Sequence, residues 1–191
     1  MSVSSAAALR AEPELRGKLE RLDTAQDPGL AQLGTPTGTA PETPPETSAE
    51  PTAGTQERAD ALLARIAWSR LSEPGDRVTG RLLAALGPEA ALALLVAGAA
   101  PRKIAAEAVA AGAELDAESV SQAVDRWRPR LDRAATVRDI DRAVETGMRI
   151  AVPGDAVWPT EAFGALGEHM PVMLWLRGAP ALLVAPSLSV V

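Results

Sequence analysis

The helical character of this chain is decided by residues 57–98, "ERADALLARIAWSRLSEPGDRVTGRLLAALGPEAALALLVAG". Apolar residues recur there at helical spacing and form a stripe on one face of a first helix: Ala59, Leu62, Leu63, Ile66 and Ala67. Pro74-Gly75 breaks the run, and two short helices follow, of which the second opens at Pro88 and ends at Gly98. Short helices joined by tight turns predict a compact orthogonal bundle.

The helical pattern continues through residues 100–112 and 116–147. Pro129 is expected to kink or divide the longer stretch, because proline lacks an amide hydrogen and clashes with the preceding turn. Gly147 is a candidate for the residue that caps its C-terminus. We therefore predict a helical domain over residues 57–147.

After Gly147 the period of the pattern changes. Residues 148–153, "MRIAVP", and 172–178, "VMLWLRG", are strand candidates, and the helical turn "TEAFGALG" lies between them. The last four residues, "LSVV", look like the start of another strand. Strands that alternate with short helices predict the beginning of an α/β domain over residues 148–191. Because its strand edges would be unpaired, we expect this third of the chain to be poorly ordered.

The first 56 residues have a different composition. Residues 34–56 hold seven Thr, five Pro and three Gly, with no Leu, Ile, Val, Phe, Met or Trp, so they have no apolar surface to offset the entropy cost of ordering. The segment "PELRGKLERLD", residues 13–23, is compatible with a helix, but one so short is marginal alone in water. We predict a disordered Thr/Pro-rich leader and linker over 1–56, in which 13–23 is either unfolded or a small docking peptide.

Composition limits the function classes. The formal net charge is −6, but residues 57–191 hold 15 basic and 17 acidic side chains, so acidity is weak evidence against a local DNA-binding face. The chain has no Cys and one His, which excludes disulfides, zinc–thiolate sites and histidine clusters. No apolar run has bilayer length, and the N-terminus lacks signal-peptide features. We expect a cytoplasmic protein with no membrane association, no metal and no cofactor.

Backbone-based anion sites are poorly supported. The chain has no G-x-G-x-x-G and no G-K-[ST], so no nucleotide loop is predicted. Residues 73–86, "EPGDRVTGRLLAAL", have the position of a hairpin whose amides hold a DNA phosphate in helix-hairpin-helix modules. Asp76 stands where such a hairpin has its second glycine, and its carboxylate would repel phosphate. An ordinary turn between helices is the favoured interpretation.

Residues 125–142 hold six Arg and four Asp around Trp127. Arginine beside an aromatic ring can follow a nucleic-acid backbone and stack on bases, so Arg126, Arg128 and Arg130 are weak candidates for nucleic-acid contacts. The alternative is a solvated helix face with ion pairs at i, i+3 and i, i+4. Six Arg against four Asp leave a charge of only +2, which favours the alternative.

No catalytic site is nominated. His169 lies between Glu168 and Met170 with no serine nearby, which indicates a solvated loop residue rather than a base. Acidic residues are scattered singly along helical faces, and Asp139 and Asp141 point away from each other on a helix. We predict no catalytic residue and no enzyme.

Residues 147–178, "GMRIAVPGDAVWPTEAFGALGEHMPVMLWLRG", resemble a segment of the DNA-processing protein A family, also called DprA or Smf. In that family a short strand and Gly-Asp precede an aromatic-Pro, a short helix, a Pro and an apolar strand ending in Arg-Gly. The matching residues here are Gly154, Asp155, Trp158, Pro159, Pro171, Trp175, Arg177 and Gly178. Residues 65–95 resemble the family's N-terminal module, which is similar to sterile-alpha-motif and helix-hairpin-helix bundles. The likeness covers about 57–191, and the Arg- and Ala-rich style looks like an actinobacterial version.

The resemblance implies a function. Family members continue into a Rossmann-like domain that binds single-stranded DNA, dimerises and hands the DNA to the RecA recombinase during natural transformation. Their DNA contacts cluster around a Gly-Ser-Arg motif after the first long Rossmann strand. Residues 187–191, "SLSVV", resemble the opening of that strand, and the motif does not follow. We therefore expect 148–191 to be an incomplete Rossmann-like domain, the chain to be an N-terminal fragment, and no family DNA-binding residue to be placed here.

Three hypotheses follow. The leading one is a non-catalytic DNA-processing protein that binds single-stranded DNA and loads RecA, in which Trp158 starts a connector helix and Trp175 packs between domains. The alternative is a helical protein-interaction module without nucleic-acid binding, favoured by the near-neutral Ala/Leu-rich body. A nucleotide-binding hydrolase or lyase is the weakest, since the chain lacks a Gly-rich loop and a nucleophile–base pair.

Overall fold

The computed structural model describes residues 12–26 and 53–185. Within them the chain is mostly helical, with a small two-stranded sheet. The helices are α1 (Pro13–Leu22), α2 (Ala53–Leu71), α3 (Arg77–Leu86), α4 (Pro88–Val96), α5 (Pro101–Ala110), α6 (Ala117–Trp127), α7 (Arg133–Glu145) and α8 (Thr160–Gly164). The strands are β1 (Arg149–Ala151) and β2 (Leu174–Leu176). Short 3₁₀ helices lie at Thr24–Gln26, Arg128–Arg130, Gly167–His169 and Pro180–Leu183.

Local sequence explains where these helices begin and end. An aspartate N-cap opens α3, α6 and α7, and each carboxylate accepts a hydrogen bond from the amide three residues later: Asp76 from Thr79, Asp116 from Ser119, and Asp132 from Ala135. Gly87 alone separates α3 from α4, and its φ of +78° allows the pair to bend by 108°. Pro129 divides α6 from α7, and Gly147 with a φ of +65° follows α7. The helical pattern predicted over 57–147 is confirmed, except that α2 begins at Ala53.

The first core lies inside the bundle formed by α2 to α6. Its centre is an edge-to-face pair of buried indoles, Trp68 and Trp127, whose ring centroids are 5.0 Å apart at 88°. The Nε1 of Trp68 donates to the carbonyl of Pro88 at 3.0 Å, which ties α2 to the start of α4. Leucine, isoleucine, valine and alanine side chains from all five helices pack around this pair.

The second core contains the N-terminal segment, which corrects the prediction for residues 13–26. Leu15, Leu19 and Leu22 share one face of α1 and are buried, with at most 6% exposure, against α2, α7 and β1. The sequence predicted a disordered leader over 1–56 because a ten-residue helix is marginal alone, but tertiary burial of three leucines stabilises it. Residues 1–11 and 27–52, with most of the predicted linker, lie outside the described residues.

The two strands pair antiparallel, with Arg149 opposite Leu176 and Ala151 opposite Leu174. Both strands and the intervening α8 lie where the sequence predicts them, while the strand predicted at 188–191 falls outside the described residues. A Rossmann-like sheet consists of parallel strands joined by helical crossovers. Among the described residues no parallel pair of strands is formed beyond an isolated bridge between Asp23 and Ile150, so the start of such a domain is not shown.

The sheet is attached to the bundle. Ile150, Val152 and Met173 are buried in the second core together with leucines of α1 and α2. A third, smaller core lies on the other side of β1 and centres on Val157 and Trp158. We expected residues 148–191 to be poorly ordered, and this burial argues against that expectation for residues 148–185, the part that the structure describes.

Candidate functional site

The turn after β1 carries the Gly-Asp pair of the resemblance. Gly154 has a φ of +98°, in the left-handed region that favours glycine. This turn brings the Asp155 carboxylate back to the strand end, where Oδ2 accepts a hydrogen bond of 2.8 Å from the amide of Val152. The second carboxylate oxygen is left to face another part of the chain.

That oxygen belongs to a buried ionic clamp, which we define as Asp23, Thr24, Arg58 and Asp155. Nη2 of Arg58 lies 2.7 Å from Oδ1 of Asp23 and 2.8 Å from Oδ1 of Asp155, and its Nε donates to Oδ2 of Asp23 at 2.9 Å. The hydroxyl of Thr24 donates to the carbonyl of Ile150 at 2.8 Å and approaches Asp155 at 3.3 Å. The aspartates are only 2% and 5% exposed. The clamp thus joins three segments that are distant in sequence.

The electrostatics of the clamp are those of a structural element. The hydrogen bonds that Arg58 donates to Asp23, followed by the nearby charges of both aspartates, raise the pKa of Arg58 despite its partial burial. Two carboxylates share one guanidinium, and each is also bonded to a backbone or hydroxyl donor. Each of the four carboxylate oxygens accepts at least one hydrogen bond from a described residue. The clamp can hold the N-terminal segment and the sheet on α2.

Sequence reasoning missed this clamp, although it identified Asp155. Arg58 is 35 positions from Asp23 and 97 positions from Asp155. The pairing is therefore set by tertiary contacts, and no spacing rule points to it. The one available signal is that Asp23 follows an apolar helical face at the end of α1.

The two tryptophans of the matched stretch have structural positions. Trp158 is 4% exposed and meets the ring of Phe163 edge-to-face, with centroids 5.3 Å apart. Trp175 is half-buried against the second core and borders the turn between α2 and α3. Trp158 thus has no free face for base stacking, and the predicted packing of Trp175 between domains stays a prediction.

The remaining matched residues are not gathered into a site. Pro159 directly precedes α8. Arg177 is exposed after β2 and forms no hydrogen bond or ion pair with the part of the chain that the structure describes. Gly178 follows it with a φ of +108°. These positions shape the ends of α8 and β2, and Arg177 is separate from the clamp.

The three arginines proposed as nucleic-acid contacts are engaged within the protein. Arg126 pairs with Asp76 at 3.0 Å, and Arg128 donates to the carbonyl of Ala99 at 2.8 Å. Arg130 pairs with Glu73 at 2.6 Å and also reaches the carbonyl of Leu71. Two of them thus bond carbonyls at helix C-termini or turns, where positive charge is favoured.

Two neighbouring side chains, Trp127 and Asp76, are also engaged within the protein. Trp127 is 1% exposed, so it cannot stack on a base. The carboxylate of Asp76 bonds the Thr79 amide, which a DNA-binding hairpin would direct at phosphate. Arg126 and Arg130 thus pair with Asp76 and Glu73 in the turn before α3, and not at the i, i+3 and i, i+4 spacings predicted along their own helix face. Nucleic-acid contacts at residues 73–86 and 125–142 stay a prediction.

His169 belongs to a contact between α3 and the 3₁₀ helix Gly167–His169. Its Nδ1 lies 2.8 Å from the carbonyl of Gly75, and the ring is half exposed. Beside it, Glu168 accepts from Arg81 and Arg77. The hydrogen bond from Arg81 is the main reason why the pKa of Glu168 is lowered. No nucleophile is near the histidine among these contacts.

Clefts lie on the surface formed by residues 12–26 and 53–185. An apolar cleft of about 180 Å³ lies between α2, α4 and the start of α7, and a second of about 400 Å³ lies beside α3. Within that part of the chain, no three His, Asp or Glu side chains are grouped to hold a metal ion. No single helix in that part of the chain is long and apolar enough to cross a membrane. Together, α3 and α4 have the required length and composition, but they are bent by 108° relative to each other.

The chain was also compared with known proteins. No protein-family model, no curated protein and no solved structure matches it. The likeness to the DNA-processing protein A family therefore rests on the matched residues themselves. In this molecule Gly154 and Asp155 form the turn after β1, Asp155 joins the ionic clamp, and Trp158 lies in the third core.

Proposed function

We propose that this chain acts in DNA processing, as a non-catalytic recombination mediator of the kind it resembles, which works on single-stranded DNA with RecA in the cytoplasm. The observation that supports the proposal is the role of Asp155. The Gly-Asp of the matched stretch closes the turn after β1 and joins the ionic clamp. Proteins that share an architecture are expected to share the residues that hold its parts together. Asp155 is such a residue, because it joins the turn after β1 to α2.

The proposal includes a finer description of the sheet. We assign β1 and β2 to the antiparallel margin of a Rossmann-like sheet, since α/β proteins commonly carry antiparallel edge strands on a parallel sheet. The order of elements supports this: a helical bundle, a short strand, a Trp-Pro helix and an apolar strand that leads to Arg177. Homodimerisation, as in the family, would involve residues other than those assigned here.

Direct DNA contacts are not assigned to this part of the chain. Arg126, Arg128 and Arg130 are held by acidic side chains or carbonyls, so each would have to exchange an internal partner for a phosphate. We expect the triple substitution of these residues by Gln to leave DNA affinity within about twofold. An arginine adds affinity only where it contacts a phosphate and displaces the counterions bound to the DNA there.

The test uses the protein that its gene encodes. Binding of a fluorescein-labelled oligo-dT is followed by anisotropy over a salt series, together with assembly of RecA on the same DNA. We expect the protein to bind with an affinity that falls steeply with salt and to accelerate RecA assembly. If it neither binds single-stranded DNA nor affects RecA, the proposal is overturned.

A second candidate is a protein-interaction module without nucleic-acid binding. It is favoured by the apolar cleft of about 180 Å³, which exposes Leu131 beside the internally paired Arg130. Leu131→Asp would weaken capture of a protein partner under this hypothesis, and a matched exposed change, Val109→Asp, would not. A stoichiometric protein partner recovered in the absence of nucleic acid would favour this candidate over DNA processing.

A further inference from the structure

A cleft of about 400 Å³ lies between α2, α3 and the segment that leads into β2. That volume falls in the range of small-molecule sites. Most of its wall is apolar: Leu83, Ala84, Pro153, Met170, Pro171 and Val172. Three charged side chains also line it, namely Arg65, Arg81 and Glu168. An apolar wall with a few converging charges is the usual composition of a site for an amphiphilic ligand.

Two of the three charges are already satisfied. Glu168 accepts from Nε of Arg81 and also pairs with Arg77 on the next turn of α3. Arg81 further donates to the carbonyl of Glu114. The carboxylate in the cleft is therefore committed to α3. It is not left to neutralise Arg65.

Arg65 is in a different position. Its Nη1 donates to the carbonyl of Val172 at 2.8 Å, and it forms no ion pair with any described residue. A guanidinium carries five N–H donors, so four are left without a protein acceptor there. Burial lowers the pKa of Arg65, as does the charge of Arg58, and the charges of Glu89 and Asp155 offset this only in part. A half-buried cation that forms no ion pair is an arrangement that an incoming anion would stabilise.

We propose that this cleft binds a small oxyanion ligand, a carboxylate or phosphate carried on an apolar body, with Arg65 as the group that binds the anion. The guanidinium presents a planar fork suited to two oxygens of either group. Met170, Pro171 and Leu83 contact the apolar part. The inference does not depend on the proposed function, because no residue of the clamp lines this cleft and, of the eight matching residues, only Pro171 does.

The experiment titrates the full chain with two probes at constant ionic strength, inorganic phosphate and hexanoate, and follows amide chemical shifts by NMR. Arg65→Gln removes the charge, and the exposed Arg102→Gln on α5 is the matched control. Ala84→Phe narrows the cleft and leaves Arg65 in place, so it tests the site without loss of the Val172 bond. Tighter binding of hexanoate identifies an amphiphilic carboxylate, and tighter binding of phosphate identifies a phosphate ligand.

We expect saturable shifts centred on residues 80–84 and 167–172. Loss of Arg65 should weaken binding at least about tenfold, since a hydrogen bond to a charged group of this kind contributes that factor. Ala84→Phe should weaken hexanoate binding, and Arg102→Gln should change neither probe. The proposal is overturned if neither probe gives saturable shifts, if the shifts lie elsewhere, or if Arg65→Gln binds like the wild type.

Discussion

At the residue scale, Gly80 permits a close approach between two helices. It lies on α3 where the 3₁₀ helix Gly167–His169 crosses, and a Cβ built at this position would come within 1.8 Å of the carbonyl oxygen of Glu168. The obstacle is backbone and cannot rotate away. Because Gly80 has no side chain, the two helices approach closely enough for Glu168 to pair with Arg77 and Arg81 and for His169 to contact Gly75.

Gly80→Ala is expected to lower the free energy of unfolding by at least about 1–3 kcal/mol, the usual cost of overpacking. Guanidinium chloride unfolding measures the effect. Gly17→Ala is the matched control, because its position on α1 is exposed and a Cβ there meets nothing within 4 Å. It should stabilise by about 0.5–1 kcal/mol through helix propensity. Equal stability of the two variants would contradict the close crossing.

The ionic clamp is also tested one residue at a time. Asp155→Ala leaves Arg58 with one partner and frees the Val152 amide, so we expect a loss of about 3–5 kcal/mol, as for other buried pairs that lose one member. Asp139→Ala, which breaks a more exposed pair with Arg70, should cost less than about 1 kcal/mol. A double-mutant cycle with Arg58→Met isolates the coupling. Additive effects in that cycle would show that Arg58 and Asp155 are not coupled.

At the element scale, the docking of α1 is the main departure from sequence-based expectation. Its leucine face is buried, while Lys18 reaches Asp141 on α7 at 2.8 Å and Arg149 on β1 donates to the carbonyl of Arg21 at 2.8 Å. The helix therefore contacts the bundle and the sheet together. Its stability comes from these partners, since ten residues with Gly17 in the middle have little propensity to form a helix alone.

Leu19→Ala should lower the free energy of unfolding by about 2–5 kcal/mol, because Leu19 is fully buried and its truncation leaves a cavity. Glu20→Ala, on the exposed side of the same helix, should change stability by less than about 0.5 kcal/mol. Chemical denaturation followed by circular dichroism gives both values. A neutral Leu19→Ala variant would mean that α1 does not pack on the body in solution.

The contact between α3 and Glu168 predicts a pH dependence. Arg81 holds the pKa of Glu168 below its ordinary value of 4.5, so the contribution of the charged form is present above pH 4.5. It is lost as the pH falls through the lowered pKa of the folded state. The stability difference between wild type and Glu168→Gln should therefore be largest at neutral pH and vanish in acid. Glu107→Gln, at an exposed position on α5, should show no such trend.

At the scale of the whole molecule, α2 is the element that unites the fold. One end places Trp68 and Leu71 in the bundle core, and the other places Leu62 and Ile66 in the core shared with α1, α7 and β1. The clamp adds an ionic connection at the same end through Arg58. The sheet is thus an extension of the helical body and shares its core.

We therefore predict that the sheet and the bundle unfold together. Amide hydrogen exchange of Ile150 should be as slow as that of the centre of α2, because both lie in one buried cluster and exchange through global opening. Exchange is followed by NMR under native conditions. Protection of β1 that is lower by orders of magnitude would restore the sequence-based expectation of a poorly ordered C-terminal third.

Several elements could be predicted because their signals are local. The helical pattern of α2 to α7, the division at Pro129 and the turn at Gly147 depend on a few neighbouring residues. The short strands could be placed from their apolar runs. Their antiparallel pairing could not, since a run of apolar residues carries no information about the direction of its partner.

The sequence by itself determined the helical class and the positions of several helix ends, because periodicity and turn chemistry act over a few residues. Only the tertiary structure decided that residues 13–26 pack on the body, that Arg58 joins Asp23 to Asp155, and that Arg65 lines a cleft without forming an ion pair. These features depend on contacts between segments far apart in the chain. Burial supplies their stability, and burial is a property of the assembled fold.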